Sequence, residues 1–367
     1  MRQNILKRSF HQAKVVADSY GKEKAPPLPP LPTVSQLVKL YQVRATKHLS
    51  QNFLYDPAIV RRFVSCLSNK LNGMHVCEVG PGPGSITREI LHREGEHLTV
   101  VEKDKRFLPL LQYISDVMPN KMTIVHGDIL QYDISQAFPN ELAKSWKDDP
   151  PPFCVFGNLP FNISLPLLFK WLDLISRQEG VFELGRIPFV LTFQAEVAER
   201  LVAPPGTPQR SRLSILSQYL CDIDYRFVIK GRSFIPPPKV EVGAVKITPL
   251  KKREIDLPFH SVDMVVKHVI SGQRQRPCKK GASTLFPPRR KDLVEEIFQI
   301  SGVTPSTRAY MLDNLHFRDL CYAYEDIAKR IPQLKLVDTF DPNMWSKTYF
   351  DKDGNPRNNI NVEALGD

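Results

Sequence analysis

Between residues 74 and 195, short apolar runs alternate with longer stretches of helical period. The runs at 75–79, 98–102, 123–126, 153–157 and 188–193 read as buried strands, and the segments near 85–93, 104–117 and 162–175 as helices. Such alternation predicts an α/β fold: a parallel sheet wrapped by helices, with ligands at the carboxyl ends of the strands. The first four strands each end in a polar residue or a turn: Glu78-Val79-Gly80, Glu102-Lys103, Gly127-Asp128 and Gly157-Asn158. Upstream, Asp56 and Pro57 are a cap and a first-turn proline, and Ile59, Val60, Phe63, Val64 and Leu67 continue at helical spacing. A shorter helix is predicted from Thr33 or Ser35 to Tyr41. Downstream, 194–201 reads as helix, 225–229 and 242–247 read as strands, and the pattern turns helical from about 251.

The first strand leads into Gly80-Pro81-Gly82-Pro83-Gly84-Ser85, a tight turn before a helix. Glycines let a ligand approach the backbone, because no Cβ stands in the way. A dinucleotide-binding turn has the form G-x-G-x-x-G, with its third glycine where this chain has Ser85. Prolines at 81 and 83 also remove two N–H donors that a pyrophosphate would use. A nucleoside ligand without phosphates fits better, and a glycine turn with no ligand is the bland alternative.

Polar residues at the other strand ends sharpen this reading. Glu102 lies 22 residues beyond Gly80, where an acid accepts hydrogen bonds from ribose hydroxyls. Asp128 is an acceptor suited to the exocyclic amine of an adenine ring. The fourth strand ends in Asn158-Leu159-Pro160-Phe161. An Asn amide oxygen and a nearby carbonyl can both accept from an amine; proline bars helix and holds that carbonyl outward; an aromatic ring stacks on a planar base. Methyl transfer from a sulfonium donor to such an amine needs mainly orientation and electrostatics. The loop Phe234-Ile235-Pro236-Pro237-Pro238-Lys239-Val240 is stiffened by three prolines. It offers Phe234 and Lys239 as one wall of a base pocket, or else is only a hairpin connection.

Charge adds a partner. The net charge is +11, and residues 251–291 carry eleven Lys/Arg against three acids. Arg274, Arg276, Lys279 and Lys280, with Arg289, Arg290 and Lys291, read as a phosphate-binding face; a solvated basic face is the alternative. The six cysteines are scattered without a C-x-x-C pair, so neither a metal site nor a disulfide framework is expected. No apolar run reaches 18 residues, so no membrane span is expected. Residues 1–24 are basic and poor in acids, the composition of a mitochondrial transit segment or of a plain basic tail. Residues 25–54 join a proline-rich spacer to an N-terminal arm. The expected plan is then a ligand-binding domain at 55–250, a basic helical RNA-binding domain at 251–342 and a loose polar tail at 343–367.

These motifs, in this order, resemble the small-subunit ribosomal RNA adenine N6-dimethyltransferases, on their mitochondrial branch. The resemblance runs from about Pro27 to about Leu334. Besides the motifs above, it is carried by Ser50-Gln51-Asn52-Phe53-Leu54, Val101-Glu102-Lys103-Asp104, His126-Gly127-Asp128, Gln194-Ala195-Glu196-Val197-Ala198-Glu199-Arg200-Leu201 and Arg210-Ser211-Arg212-Leu213-Ser214. It implies a Rossmann-like class I methyltransferase sheet with a small helical C-terminal domain, and S-adenosyl-L-methionine as cofactor. It implies Asn52, Phe53, Leu54 and Gly80 at the methionine and ribose end, Glu102 on the ribose hydroxyls, Asp128 with Ile129 at the adenine, and Lys103 flanking that ring. Asn158, Leu159 and Pro160 would present the target amine, and Phe161, where bacterial relatives have Tyr, would stack on the flipped base.

The implied substrate is a pair of adjacent adenines in a stem-loop near the 3′ end of small-subunit (12S) rRNA, each receiving two methyl groups on N6. The implied enzyme is a monomer of the mitochondrial matrix that works on the assembling small ribosomal subunit, with the mitochondrial transcription machinery as a further class of partner. Two rivals stand beside it. One is a methyltransferase relative acting as a transcription or assembly factor by binding alone, which degraded donor-site residues would favour. The other is a large-subunit rRNA methyltransferase of the antibiotic-resistance type, against which the transit-like start and the basic helical C-terminus argue.

Overall fold

The computed structural model describes residues 52–270, 274–336, 350–351 and 353–357. The expected transit segment, the proline-rich spacer, the short helix near 33–41 and Ser50-Gln51 lie outside the described residues. The chain forms two compact units. Of the described residues, the first holds those up to Leu174, with Gln178–Ala198 and Asp224–Lys251; the second holds Ile175–Arg177, Glu199–Ile223 and those from Lys252 onward. Residues 199–223, expected within the N-terminal domain, thus group with the C-terminal unit.

The elements wholly or mostly in the first unit are β1 (Phe53–Leu54), α1 (Pro57–Val64), β2 (His75–Val79), α2 (Ser85–His92), β3 (His97–Glu102), α3 (Leu108–Val117), β4 (Met122–His126), β5 (Phe153–Gly157), α4 (Phe161–Arg177), β6 (Phe189–Gln194), β7 (Cys221–Ile229), β8 (Phe234–Ile235) and β9 (Val242–Pro249). Asp56 caps α1 by accepting from the Ala58 amide at 2.9 Å, and Val60, Phe63 and Val64 bury its apolar face. Helix α3 begins later than the pattern predicts. The Asp104 carboxylate accepts from the Arg106 amide and holds the chain in a local turn, and Pro109 then suits the first helical turn.

Seven strands form one sheet in the order β4-β3-β2-β5-β6-β9-β7. Strands β4 to β6 run parallel, and β9 is antiparallel to β6. Val76, Cys77, Val100, Cys154, Phe156 and Val190 are fully buried, as near-continuous apolar runs require in a parallel sheet covered on both faces. The chain leaves β2 towards β3 on one side and returns to β5 on the other, so a crevice opens at the carboxyl ends between them. Register decides what meets there. Val79 of β2 pairs with Val101 of β3 and with Gly157 of β5. The next residues, Gly80, Glu102 and Asn158, therefore leave the sheet at one level.

The second unit is helical, with the end of α5 (Ala195–Val202), then α6 (Arg212–Gln218), α7 (Phe259–Ile270), α8 (Cys278–Ala282), α9 (Lys291–Ser301) and α10 (Asn314–Arg330). Val262, Val266, Val269, Phe286, Ile297, Phe317 and Leu320 form its core. Arg210 is only 1% exposed; its guanidinium donates to the Ala203 carbonyl and to the side-chain oxygens of Gln218 and Asn314. The tail expected from 343 is not loose where it is described. Phe350 is buried, the Asp351 carboxylate accepts from the amides of Asp353 and Asn355, and Asp353 pairs with Arg289 at 2.7 Å. No helix among the described residues is long and apolar enough to cross a membrane. All six cysteines are buried and free, and the described residues hold no cluster of metal-ligating side chains.

Candidate active site

A cavity of about 650 Å³ lies at the carboxyl ends of β2 to β5. Asn52 and Phe53 line it from the arm, Gly80 and Gly82 from the turn after β2, Glu102 and Lys103 from β3, Asp128 and Ile129 from β4, and Asn158, Leu159 and Pro160 from β5. Leu54 does not line it. Paired with Phe234 in the small β1–β8 sheet, Leu54 is 2% exposed and packs in the core.

The turn after β2 has no spare donors between residues 80 and 84. The Gly80 amide donates to the Val101 carbonyl, the Gly82 amide to Glu102 Oε2 and the Gly84 amide to the Pro81 carbonyl. Pro81 and Pro83 have no N–H. The turn itself thus offers no amide to a pyrophosphate, which suits a nucleoside without phosphates. Gly82 has φ +54°, and a Cβ there would stand 2.8 Å from the Phe53 ring. A Cβ on Gly80 would meet nothing closer than Leu159 at 3.9 Å, so the backbone is open on that side.

Glu102 is 5% exposed, and its second oxygen accepts from the Asp104 amide at 2.7 Å. Burial pushes its carboxyl up from the ordinary range, while the amides of Asp104 and Gly82 pull it back. Asp128 is already engaged: Lys103 Nζ donates to it at 2.7 Å and the Leu130 amide at 3.0 Å. The Lys103 hydrogen bond, with the amide, holds Asp128 below the usual carboxylate range. Lys103 is mostly exposed, so this ion pair is readily opened.

Asn158 is held at both ends of its amide. Its Nδ2 donates to the Asn52 carbonyl at 2.8 Å, and its Oδ1 accepts from the Thr192 hydroxyl at 2.9 Å. The expectation that Pro160 bars helix changes: its carbonyl accepts from the amides of Ile163 and Ser164, so it leads straight into α4. Phe161 is the first residue of α4, half-buried against the core, and Asn162 and Ile163 line the cavity instead. Thr192, Asn162 and Ile163 were not among the expected site residues, although Phe161-Asn162-Ile163-Ser164 matches the family's polar helix entry. The signal for Thr192 was there, a lone hydroxyl in the apolar strand Phe189–Gln194.

Phe234 does not form a wall of the pocket. It is 2% exposed in the core, because β8 turns it inward, while Lys239 beyond the prolines is exposed. The basic surface is also redrawn. Arg274, Arg276 and Lys280 are exposed and have no acidic partner among the described residues, whereas Lys279 lies 3.7 Å from Glu295. Arg289 pairs with Asp353 and Arg290 with Asp292. Arg308 joins the first group, missed because it is remote in sequence. Backbone hydrogen bonds from Ala309 to Arg276 and from Tyr310 to Arg274, with a bridge between Pro277 and Arg308, bring it there.

This strand order, with a glycine turn and a crevice between β2 and β5, is that of the class I methyltransferase fold. Among solved structures the chain is similar to a dimethyladenosine transferase from Plasmodium falciparum, with TM-score 0.58 and 23% identity over 75% of this chain and 98% of that one. It is also similar in fold to the 23S rRNA methyltransferase ErmE, with TM-score 0.51 and 20% identity over 75% of this chain and 100% of that one. The chain belongs to the ribosomal RNA adenine dimethylase family, whose profile matches residues 42–317, and it is an rRNA adenine dimethyltransferase. It is 47% identical to the mitochondrial dimethyladenosine transferase 1 of Xenopus laevis over 84% of this chain and 89% of that one. The human protein of that name is 45% identical over 86% and 90%, and that of Drosophila melanogaster 40% over 85% and 93%.

Proposed function

We propose that the chain transfers methyl groups from S-adenosyl-L-methionine to the N6 amines of two adjacent adenines in the 3′-terminal stem-loop of the mitochondrial small-subunit (12S) rRNA, in the matrix, during assembly of the small subunit. The observation that carries this reading is the register of β2 with β3 and β5, which sets the glycine turn, Glu102 and Asn158 around one cavity.

When bound, the donor supplies a methyl group on a sulfonium, already a good leaving group. The residues of the chain bind and orient. Glu102 keeps lone pairs beyond those used by Gly82 and Asp104, which suits two ribose hydroxyls. Asp128 accepts from the adenine amine of the donor when Lys103 swings aside to flank that ring. Asn158 Oδ1 keeps a second lone pair for an N–H of the target amine, and the Leu159 carbonyl is the second acceptor. Two such hydrogen bonds favour the pyramidal, nucleophilic form of an amine whose lone pair is otherwise delocalised into the ring. The target base is flipped out and stacks on the accessible part of Phe161. Lys239, Arg274, Arg276, Lys279, Lys280 and Arg308 hold RNA phosphates.

Single-turnover methyl transfer to a short rRNA hairpin with labelled donor tests this, scored at the two adenines. Asn158→Ala is expected to remove transfer and leave RNA binding nearly intact; transfer at the wild-type rate would end the amine-positioning role. A fluorescent fusion lacking residues 1–24 tests the location and is expected to stay in the cytosol.

A further inference from the structure

We propose that Thr192 is a positioning residue for methyl transfer and that it acts through Asn158. This rests on the reading of Asn158 as acceptor of the target amine. Thr192 sits in β6 among Phe189, Val190, Leu191 and Phe193, every one of them at most 1% exposed, and is itself fully buried. A hydroxyl in such surroundings is costly unless it is hydrogen-bonded. Leu191 pairs with Gly157 of β5, so Thr192 stands beside Asn158, and its hydroxyl donates to Asn158 Oδ1 at 2.9 Å.

The two ends of the Asn158 amide are fixed for different reasons. The Asn52 carbonyl can only accept, so it requires Nδ2 on its side and excludes the flipped amide. That contact is backbone and leaves the amide free to swing about one point. The Thr192 hydroxyl supplies the second point and fixes where Oδ1 stands. Without it, the oxygen that should accept from the amine loses its buried partner and its place. Orientation of this kind governs the transfer step rather than the affinity for donor or RNA.

Thr192→Val replaces the hydroxyl by a methyl group of similar shape, and Thr192→Ser keeps the hydroxyl. At saturating donor and hairpin, Thr192→Val is expected to slow single-turnover transfer by ~3- to 10-fold, the size of one lost hydrogen bond. Donor and RNA affinities should stay within about twofold, and Thr192→Ser should transfer near the wild-type rate. A wild-type rate in Thr192→Val, a serine variant as slow as valine, or a valine variant whose donor or RNA affinity falls as much as its rate would each overturn the proposal. A wild-type rate in Asn158→Ala alone would instead bring down the reading of Asn158, and this one with it. Should the valine variant fail to fold, Thr192→Ala is read against Thr192→Ser in the same way.

Discussion

The Thr87 hydroxyl in α2 donates to the Glu78 carboxyl in β2 across 2.6 Å, and the other oxygen of that carboxyl meets no hydrogen-bond partner among the described residues. Glu78 is 1% exposed, and burial pushes its pKa from 4.5 up to about 8. The folded chain therefore holds this proton more tightly than the unfolded chain. The contribution to stability is fully present below pH 4.5 and is lost as pH rises through about 8. Glu78→Gln, which cannot ionise, is expected to flatten the fall in stability across that window. Urea denaturation at a series of pH values measures it, and an unchanged slope in the variant would clear Glu78 of the effect.

Glu102→Ala is expected to weaken donor binding by roughly 1.5–3 kcal/mol, or ~10- to 100-fold. It removes the proposed ribose acceptor and also releases the Gly82 and Asp104 amides. Calorimetric titration of donor into the folded variant reads this directly, and wild-type affinity would remove the ribose assignment.

Alanine at the two glycines should act unequally. Both have positive φ, which costs an L-residue roughly 1–2 kcal/mol. Only at Gly82 would the new Cβ also strike the Phe53 ring, at 2.8 Å. Gly82→Ala is therefore expected to lower Tm more than Gly80→Ala and to cost more donor affinity. Equal shifts would mean that the ring yields freely.

RNA affinity should fall steeply with salt. Arg308→Ala is expected to flatten the plot of log affinity against log salt by about 0.7 for a contact to single-stranded RNA. Arg289→Ala should change it less, because Arg289 is already paired with Asp353. Equal slopes for both variants would place the RNA away from the Arg274 to Arg308 surface.

The five parallel strands were legible because each is an apolar run short enough to be a strand and bounded by turns. The residues around the cavity were legible for the same reason, since four of its walls are strand ends. Leu54 and Phe234 were misread because β1 and β8 are two residues each, too short for any period, and their inward turn depends on a partner far along the chain. Arg210 stood in the sequence only as part of a family motif, and nothing local announces that Gln218 and Asn314 will receive it. The same distance hid Arg308, whose neighbours Arg274 and Arg276 are joined to its segment only by backbone hydrogen bonds.

The pairing of Phe53 with Ile235 has a consequence for the order of events on the ribosome. Asn52 and Phe53 leave the exit tunnel early, yet the strand that seats them is made much later. At ~5–20 residues per second, roughly 10–40 s of synthesis separate the two. Until Phe234 and Ile235 emerge, the growing chain has the glycine turn, Glu102 and Asn158 but lacks the strand that pairs with Phe53 and Leu54. Any fragment stopping short of β8 therefore holds the arm at the cavity without its strand partner.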